Sequence, residues 1–173
     1  VAGVRIETLT ELSGCHRVVR VMPNMPALVG EGMSVYSVSA DIRAGDIVKA
    51  ERVLGTLGLV SLVKEDLLDA VTGLSGSGPA FVFEIIQALA DGGVKSGMTD
   101  DLAMKLAAQT VLGAAKLILE TGREPSELRN QVATPGGTTE RGLQVLEKCR
   151  LRKAVEEAVV AATKRSKELG RKI

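Results

Sequence analysis

Aromatic residues are nearly missing from this 173-residue chain, which has no tryptophan, one tyrosine and two phenylalanines. Base stacking therefore has almost nothing to work with, and a formal net charge of +1 exerts no pull on a phosphate backbone. Nucleic acid is excluded as a partner. Cysteine is equally scarce: Cys15 and Cys149 are too few for a disulfide framework and read as reduced thiols of a cytoplasmic protein. A single histidine, His16, leaves no ligand set for zinc and no base for a hydrolytic triad. Long apolar runs are short of what a bilayer requires. The most apolar helical stretch, Phe81 to Ala90, is broken by Glu84 and Gln87, so no membrane span is expected. No secretory leader is read at the start.

What is abundant is small and aliphatic. Hydrophobic residues make up 45% of the chain, so a core must be built from Ala, Val, Leu, Ile and Met, which favours close helix–helix packing. The opening Val1-Ala2-Gly3 reads as the tail of a strand that begins further upstream, and the chain as a fragment. Thr8 to Leu12 fits a short helix capped by Thr8, with Glu11 three residues on. Arg17 to Met22 and Gly32 to Val38 fit strands. Met22 to Pro26 should not be helical, because each proline pushes the residue before it toward extended geometry. Asn24, held between two prolines, is equally suited to hooking a ligand or to stabilising a turn. Asp41 to Gly58 has the spacing of an amphipathic helix, and Leu59 to Val63 of a strand. This order suits the closing part of an α/β sheet and puts a domain boundary after Lys64.

The rest reads as helix. The run Gly73 to Pro79 is a helix start, with proline in the first turn. Asp91-Gly92-Gly93 should loosen the end of the helix that follows. Thr99 with Asp100 and Asp101 opens the next one. Over Asp101 to Glu120 the polar residues Asp101, Lys105, Gln109, Lys116 and Glu120 form one narrow stripe, and nearly everything else is apolar. Such a helix must be covered on several sides, more than one small helical domain can manage, which predicts an intertwined homodimer. Leu151 to Leu169 has one apolar and one charged face.

Between a short helix at Ser126 to Val132 and an apolar-periodic run lies Thr134-Pro135-Gly136-Gly137-Thr138-Thr139. Proline stops the first helix, the glycines permit a sharp turn, and the threonines offer hydroxyl caps to the second. The hexapeptide alone allows two readings. One is a plain helix–loop–helix corner; the other is a cup of backbone N–H groups that binds a carboxylate or phosphate.

Four segments taken together narrow the choice: Val21 to Pro26, Asp69 to Ala80, Asp91 to Lys95 and Pro135 to Thr139. In this order and spacing the chain resembles pyrroline-5-carboxylate reductase along nearly its whole length. The resemblance implies residues 1–64 as the C-terminal part of a Rossmann-type dinucleotide-binding domain. It implies residues 65–173 as an all-α dimerisation and substrate-binding domain, a bundle like the C-terminal domain of 6-phosphogluconate dehydrogenase. It further implies reduction of 1-pyrroline-5-carboxylate to L-proline, the last step of proline biosynthesis, by hydride from NADPH or NADH.

By the same resemblance the nicotinamide comes near Ala2, Gly3 and Asn24, and Gln131 touches the cofactor across the dimer. The substrate carboxylate sits in the Thr134 loop on the amides of Gly136, Gly137, Thr138 and Thr139. Thr139 presents its hydroxyl to the ring nitrogen, and Glu65 contacts the product side of the pocket. Larger assemblies of dimers are compatible with it. Two departures stand out. No Gly-x-Gly-x-x-Gly follows a strand, so the phosphate-binding part of the cofactor domain is absent from this sequence. Glu124 stands where the family commonly has histidine. The rival expectations are a non-catalytic dimerisation module derived from a reductase, and a reductase of another small carboxylate-bearing substrate.

Overall fold

The computed structural model describes residues 3–171. Among them two compact units form: one holds the described residues through Ala80 together with those from Glu156 on, the other Phe81–Val155. The break after Lys64, read from where strands stop, lies inside the first unit.

In the first unit a helix, α1 (Ile6–Ser13), precedes strands β1 (Val19–Met22), β2 (Gly32–Val38) and β3 (Gly58–Leu62), with α2 (Ala44–Leu54) between the last two. The central strand β2 runs antiparallel to β1 and parallel to β3. The parallel pairing is what requires the α2 crossover. It starts where Gly32 faces Gly58, and a Cβ on Gly58, whose φ is +135°, would strike the Gly32 carbonyl. Glycine is therefore the residue this rung accepts.

Two sequence expectations shift here. α1 begins two residues before Thr8, and its first turn is served by Glu65 rather than by a threonine hydroxyl. Met25–Val29 forms a 3-10 turn with Pro26 near its start, although Asn24 itself stays extended. A proline fits the first turn of a helix, where its missing N–H is not needed, so the two prolines bound the turn rather than abolish it.

The interior of this unit is mixed. Tyr36 is fully buried on β2, and Leu68 of α3 (Leu68–Val71) almost fully, with Val35 and Ile6 near them in burial. After α3 the chain widens into a π-type turn, Thr72–Gly76. A side chain at Gly73 there would meet Val159 and Thr163 of the last helix, α8 (Leu151–Gly170). The hydroxyl of buried Ser166 on α8 donates to the carboxylate of buried Asp69 at 2.7 Å.

The second unit is built on α4 (Gly78–Lys95), α5 (Asp100–Thr121), α6 (Pro125–Val132) and α7 (Thr138–Lys148). α4 runs unbroken through Gly92 and Gly93 rather than loosening there. A Cβ on Gly93 would stand 3.0 Å from that of Ala103, so glycine is where α4 and α5 come closest. Their shared core is Ala90, Ala103 and Ala107, with Ile86 packed on it. This is the small-residue helix packing expected from the composition.

α5 is the exception to good burial. Only Ala103 and Ala107 on it are buried, while Leu112 is 55% and Leu119 72% exposed. By length and composition α5 is also the one described helix apolar enough to cross a membrane, a test that the core helix of a soluble protein also passes. α4, which carries Phe81 to Ala90, does not meet that test.

Tyr36 yields a pH test. Its hydroxyl donates to Glu51 Oε1 at 2.6 Å, and its pKa is pushed from 10.0 to about 12, first by burial and then by that bond and the carboxylate's charge. The folded chain thus holds the proton more tightly than the unfolded one. The stability it contributes is complete below pH 10 and is lost as pH climbs toward about 12. Denaturation curves across that window should show the loss, and Tyr36→Phe should abolish the pH dependence at a cost of about 1 kcal/mol at neutral pH.

Candidate functional site

The loop before α7 is built by its own sequence. The Thr134 carbonyl accepts from the Gly137 N–H at 2.9 Å, closing a turn with Pro135 and Gly136 at its corners. Gly136 sits at φ +72°, the left-handed geometry that the third residue of a type II turn requires. Gly137 is the N-cap of α7, and a Cβ on it would collide with Thr134. Thr138 and Thr139 are the first helical residues, so their N–H groups lack partners within the helix and lie at its positive end.

No threonine hydroxyl caps α7, contrary to expectation. Glu140, three residues past the N-cap, reaches back to the turn instead: the Gly136 N–H donates to Glu140 Oε2 at 2.8 Å. A helix whose N-cap is glycine has no side-chain oxygen to offer there, and a glutamate at this position can reach back to the turn. The spacing of Gly137 and Glu140 is that of a capping box with its first hydroxyl deleted, which is the signal that would have revealed it.

Thr134, Gly136, Gly137, Thr138 and Thr139 are therefore brought together in one turn, with Thr139 half-buried and Thr134, Gly136 and Thr138 exposed. Gln131 lies just upstream on α6. Its carbonyl accepts from Arg123 Nη1 at 3.1 Å, and Arg123 also pairs with Glu127 at 3.6 Å.

Two further candidates, Glu65 and Asn24, belong to the first unit and already have partners. The Glu65 Oε1 accepts both the Ile6 N–H at 2.7 Å and Arg20 Nη1 at 2.9 Å. The Arg20 side chain is only 9% exposed, so this carboxylate balances a nearly buried cation and the positive end of α1 together. Beside it Asp66 pairs with Arg5 at 2.9 Å and thereby raises the Arg5 pKa, against a smaller opposing effect of burial. Asn24 holds its own turn: its Oδ1 accepts the Met33 N–H at 2.8 Å, and its Nδ2 donates to Ser75 Oγ at 3.3 Å. Sequence reasoning missed Arg20 and Glu140, which lie outside the four segments, and gave no role to Ser75 within one of them.

The described residues do not form a dinucleotide cradle. Ala2 lies outside them. The space a side chain would take at Gly3 is filled by the backbone of Gly170, not left open for a ring. Gly3 instead lines a polar pocket of about 310 Å³ with Arg5, Asp66, Asp69 and Lys167. Asn24 spends both ends of its amide within the fold. The residues at hand include no phosphate-binding glycine turn for NADPH or NADH. Among the described residues no cluster of three or more metal-ligating side chains occurs either.

Comparison with known proteins adds an independent line. Residues 65–169 match the family model described as pyrroline-5-carboxylate reductase dimerisation. Over 168 residues the chain is 49% identical to a pyrroline-5-carboxylate reductase of Arabidopsis thaliana, covering 97% of this chain and 61% of that protein. It is 47% identical over 171 residues to the Synechocystis enzyme of the same name, covering 99% of this chain and 64% of the relative. The chain thus spans somewhat over three-fifths of these relatives. Among solved structures, the Plasmodium falciparum pyrroline carboxylate reductase with NADP bound superposes with a TM-score of 0.91 at 35% identity, covering 98% of this chain and 68% of that one.

The geometry at Glu65 makes its own prediction. Glu65→Ala strands a nearly buried guanidinium and uncaps α1, and should destabilise the first unit by about 3 kcal/mol in urea denaturation. Adding Arg20→Met should recover part of the loss. If Glu65→Ala left stability unchanged, its role would not lie in this network.

Proposed function

Because the chain belongs to the pyrroline-5-carboxylate reductase family, we propose that it holds the substrate-gripping and dimer-forming part of an enzyme that reduces 1-pyrroline-5-carboxylate to L-proline, with NADPH or NADH as hydride source. One observation carries the reading. The Thr134–Thr139 turn directs backbone amides to the start of an 11-residue helix, and one of them already holds a carboxylate oxygen at 2.8 Å. A substrate with a ring and one carboxylate suits such a cup.

In the reaction the C=N carbon gains a hydride and the ring nitrogen a proton. A cyclic imine is easily protonated, so the main demands on the protein are orientation and a fixed dipole. In this reading the amides of Gly136, Thr138 and Thr139 hold the carboxylate, and the Thr139 hydroxyl faces the ring nitrogen. As the family resemblance suggests, Asn24 and Gly3 border the nicotinamide and Gln131 touches the cofactor across the dimer, with the phosphate-binding portion supplied by sequence outside this chain. The first unit's small sheet then corresponds to the closing strands of a Rossmann-type domain. We place the protein in the cytosol, which suits two exposed free thiols.

A second copy of the chain is the cover we assign to α5. Its exposed leucines and the match of this region to a dimerisation model support a homodimer. Sedimentation should give a dimer, and Leu112→Asp should shift it toward monomer. Titration calorimetry with L-proline should detect binding that Thr139→Val weakens about tenfold, the effect of roughly one hydrogen bond. A dimer whose proline binding is absent, or indifferent to Thr139→Val, would instead favour a non-catalytic dimerisation module.

A further inference from the structure

We propose that Glu140 is a built-in stand-in for the substrate's carboxylate, seated in the cup when the cup is empty and displaced when substrate enters. The inference rests on reading the Thr134–Thr139 turn as the carboxylate site. Of the four amides assigned to that site, the Gly137 N–H is committed to the Thr134 carbonyl at 2.9 Å and cannot serve a ligand without opening the turn. The Gly136 N–H is taken by Glu140 Oε2 at 2.8 Å. Only the amides of Thr138 and Thr139 remain open at the helix start.

The chemistry is matched. Glu140 brings the same functional group as the proposed substrate, with the same charge, to the same donor. The neighbouring cation is not tied to it, since Arg141 Nη1 donates to Gln144 Oε1 at 2.9 Å. What opposes the Glu140 charge is thus the amino end of α7 and the Gly136 amide, the groups a substrate carboxylate must also use. Two carboxylates at one helix start repel each other, so entry of one favours departure of the other.

Plain helix capping and a displaceable stand-in predict opposite signs. If Glu140 only caps α7, removing it loosens the turn and weakens ligand binding. If it occupies the site, removing it leaves Gly136 free and strengthens binding. Calorimetry with L-proline on Glu140→Ala should therefore give affinity about three- to tenfold tighter than the unaltered chain. Glu140→Gln should lie between the two, and pyrrolidine, which has no carboxylate, should be insensitive to both changes. Hydrogen exchange at the Gly136 amide should be slowed in the unaltered chain and fast in Glu140→Ala without ligand. Weaker or unchanged proline affinity in Glu140→Ala, while the unaltered chain binds proline and Thr139→Val weakens it, overturns the stand-in and leaves the proposed function intact. Proline binding by none of the three chains defeats the proposed function, and the stand-in with it.

Discussion

A helix more apolar than its own unit can cover sets the terms for the second unit. α5 is 22 residues long and buries only two alanines, while leucines on several of its sides remain exposed. Water exacts roughly 25 cal/mol for each Å² of apolar surface left uncovered, so a second surface has to meet it. Small residues make that feasible. Where α4 meets α5 the contact is Gly93 against Ala103, with Ala90 and Ala107 beside it, and backbones that close leave the larger side chains of α5 pointing outward. The poverty in aromatics is of a piece with this, because a bulky ring at those alanines would hold the two helices apart.

The first unit solves a different problem. Its centre is not an oily core but a set of polar groups paired at short range: Arg20 with Glu65, Asp69 with Ser166, Tyr36 with Glu51. Each is buried on at least one side, and each would be costly if its partner were lost. Ser34 is the one buried side-chain polar atom without a protein partner among the described residues. The pairs tie elements far apart in sequence, so the end of α8 is fastened beside α3, with Gly73 admitting the helix at close range.

Much of this arrangement could be read from the sequence, because it is written in local chemistry. Gly32 to Val38 is a strand with the bounds expected, since a run of β-formers between a glycine and a polar stretch leaves little choice. α5 agrees almost to the residue with the Asp101 to Glu120 reading, opened by acidic groups at its start. The turn at Thr134 followed from proline and glycine. What stayed hidden was long-range. Glu65 caps a helix 59 residues earlier, and no pattern in the chain joins Ile6 to Glu65. The same holds for Asn24 and Ser75, 51 residues apart. The threonine caps expected from Thr8, Thr138 and Thr139 do not form for a related reason: Glu65 serves the first turn of α1 from a distant part of the chain, and α7 starts on a glycine with no side-chain cap.

The Gly32–Gly58 rung has a further bearing on how this protein can change. Where two main chains touch with nothing between them, a methyl group on Gly58 would meet the facing peptide and force the strands apart at the point where their pairing begins. A compensating mutation on the opposite strand is not open to it, because that residue is already the smallest there is. At this rung the seam between β2 and β3 thus has room for backbone alone.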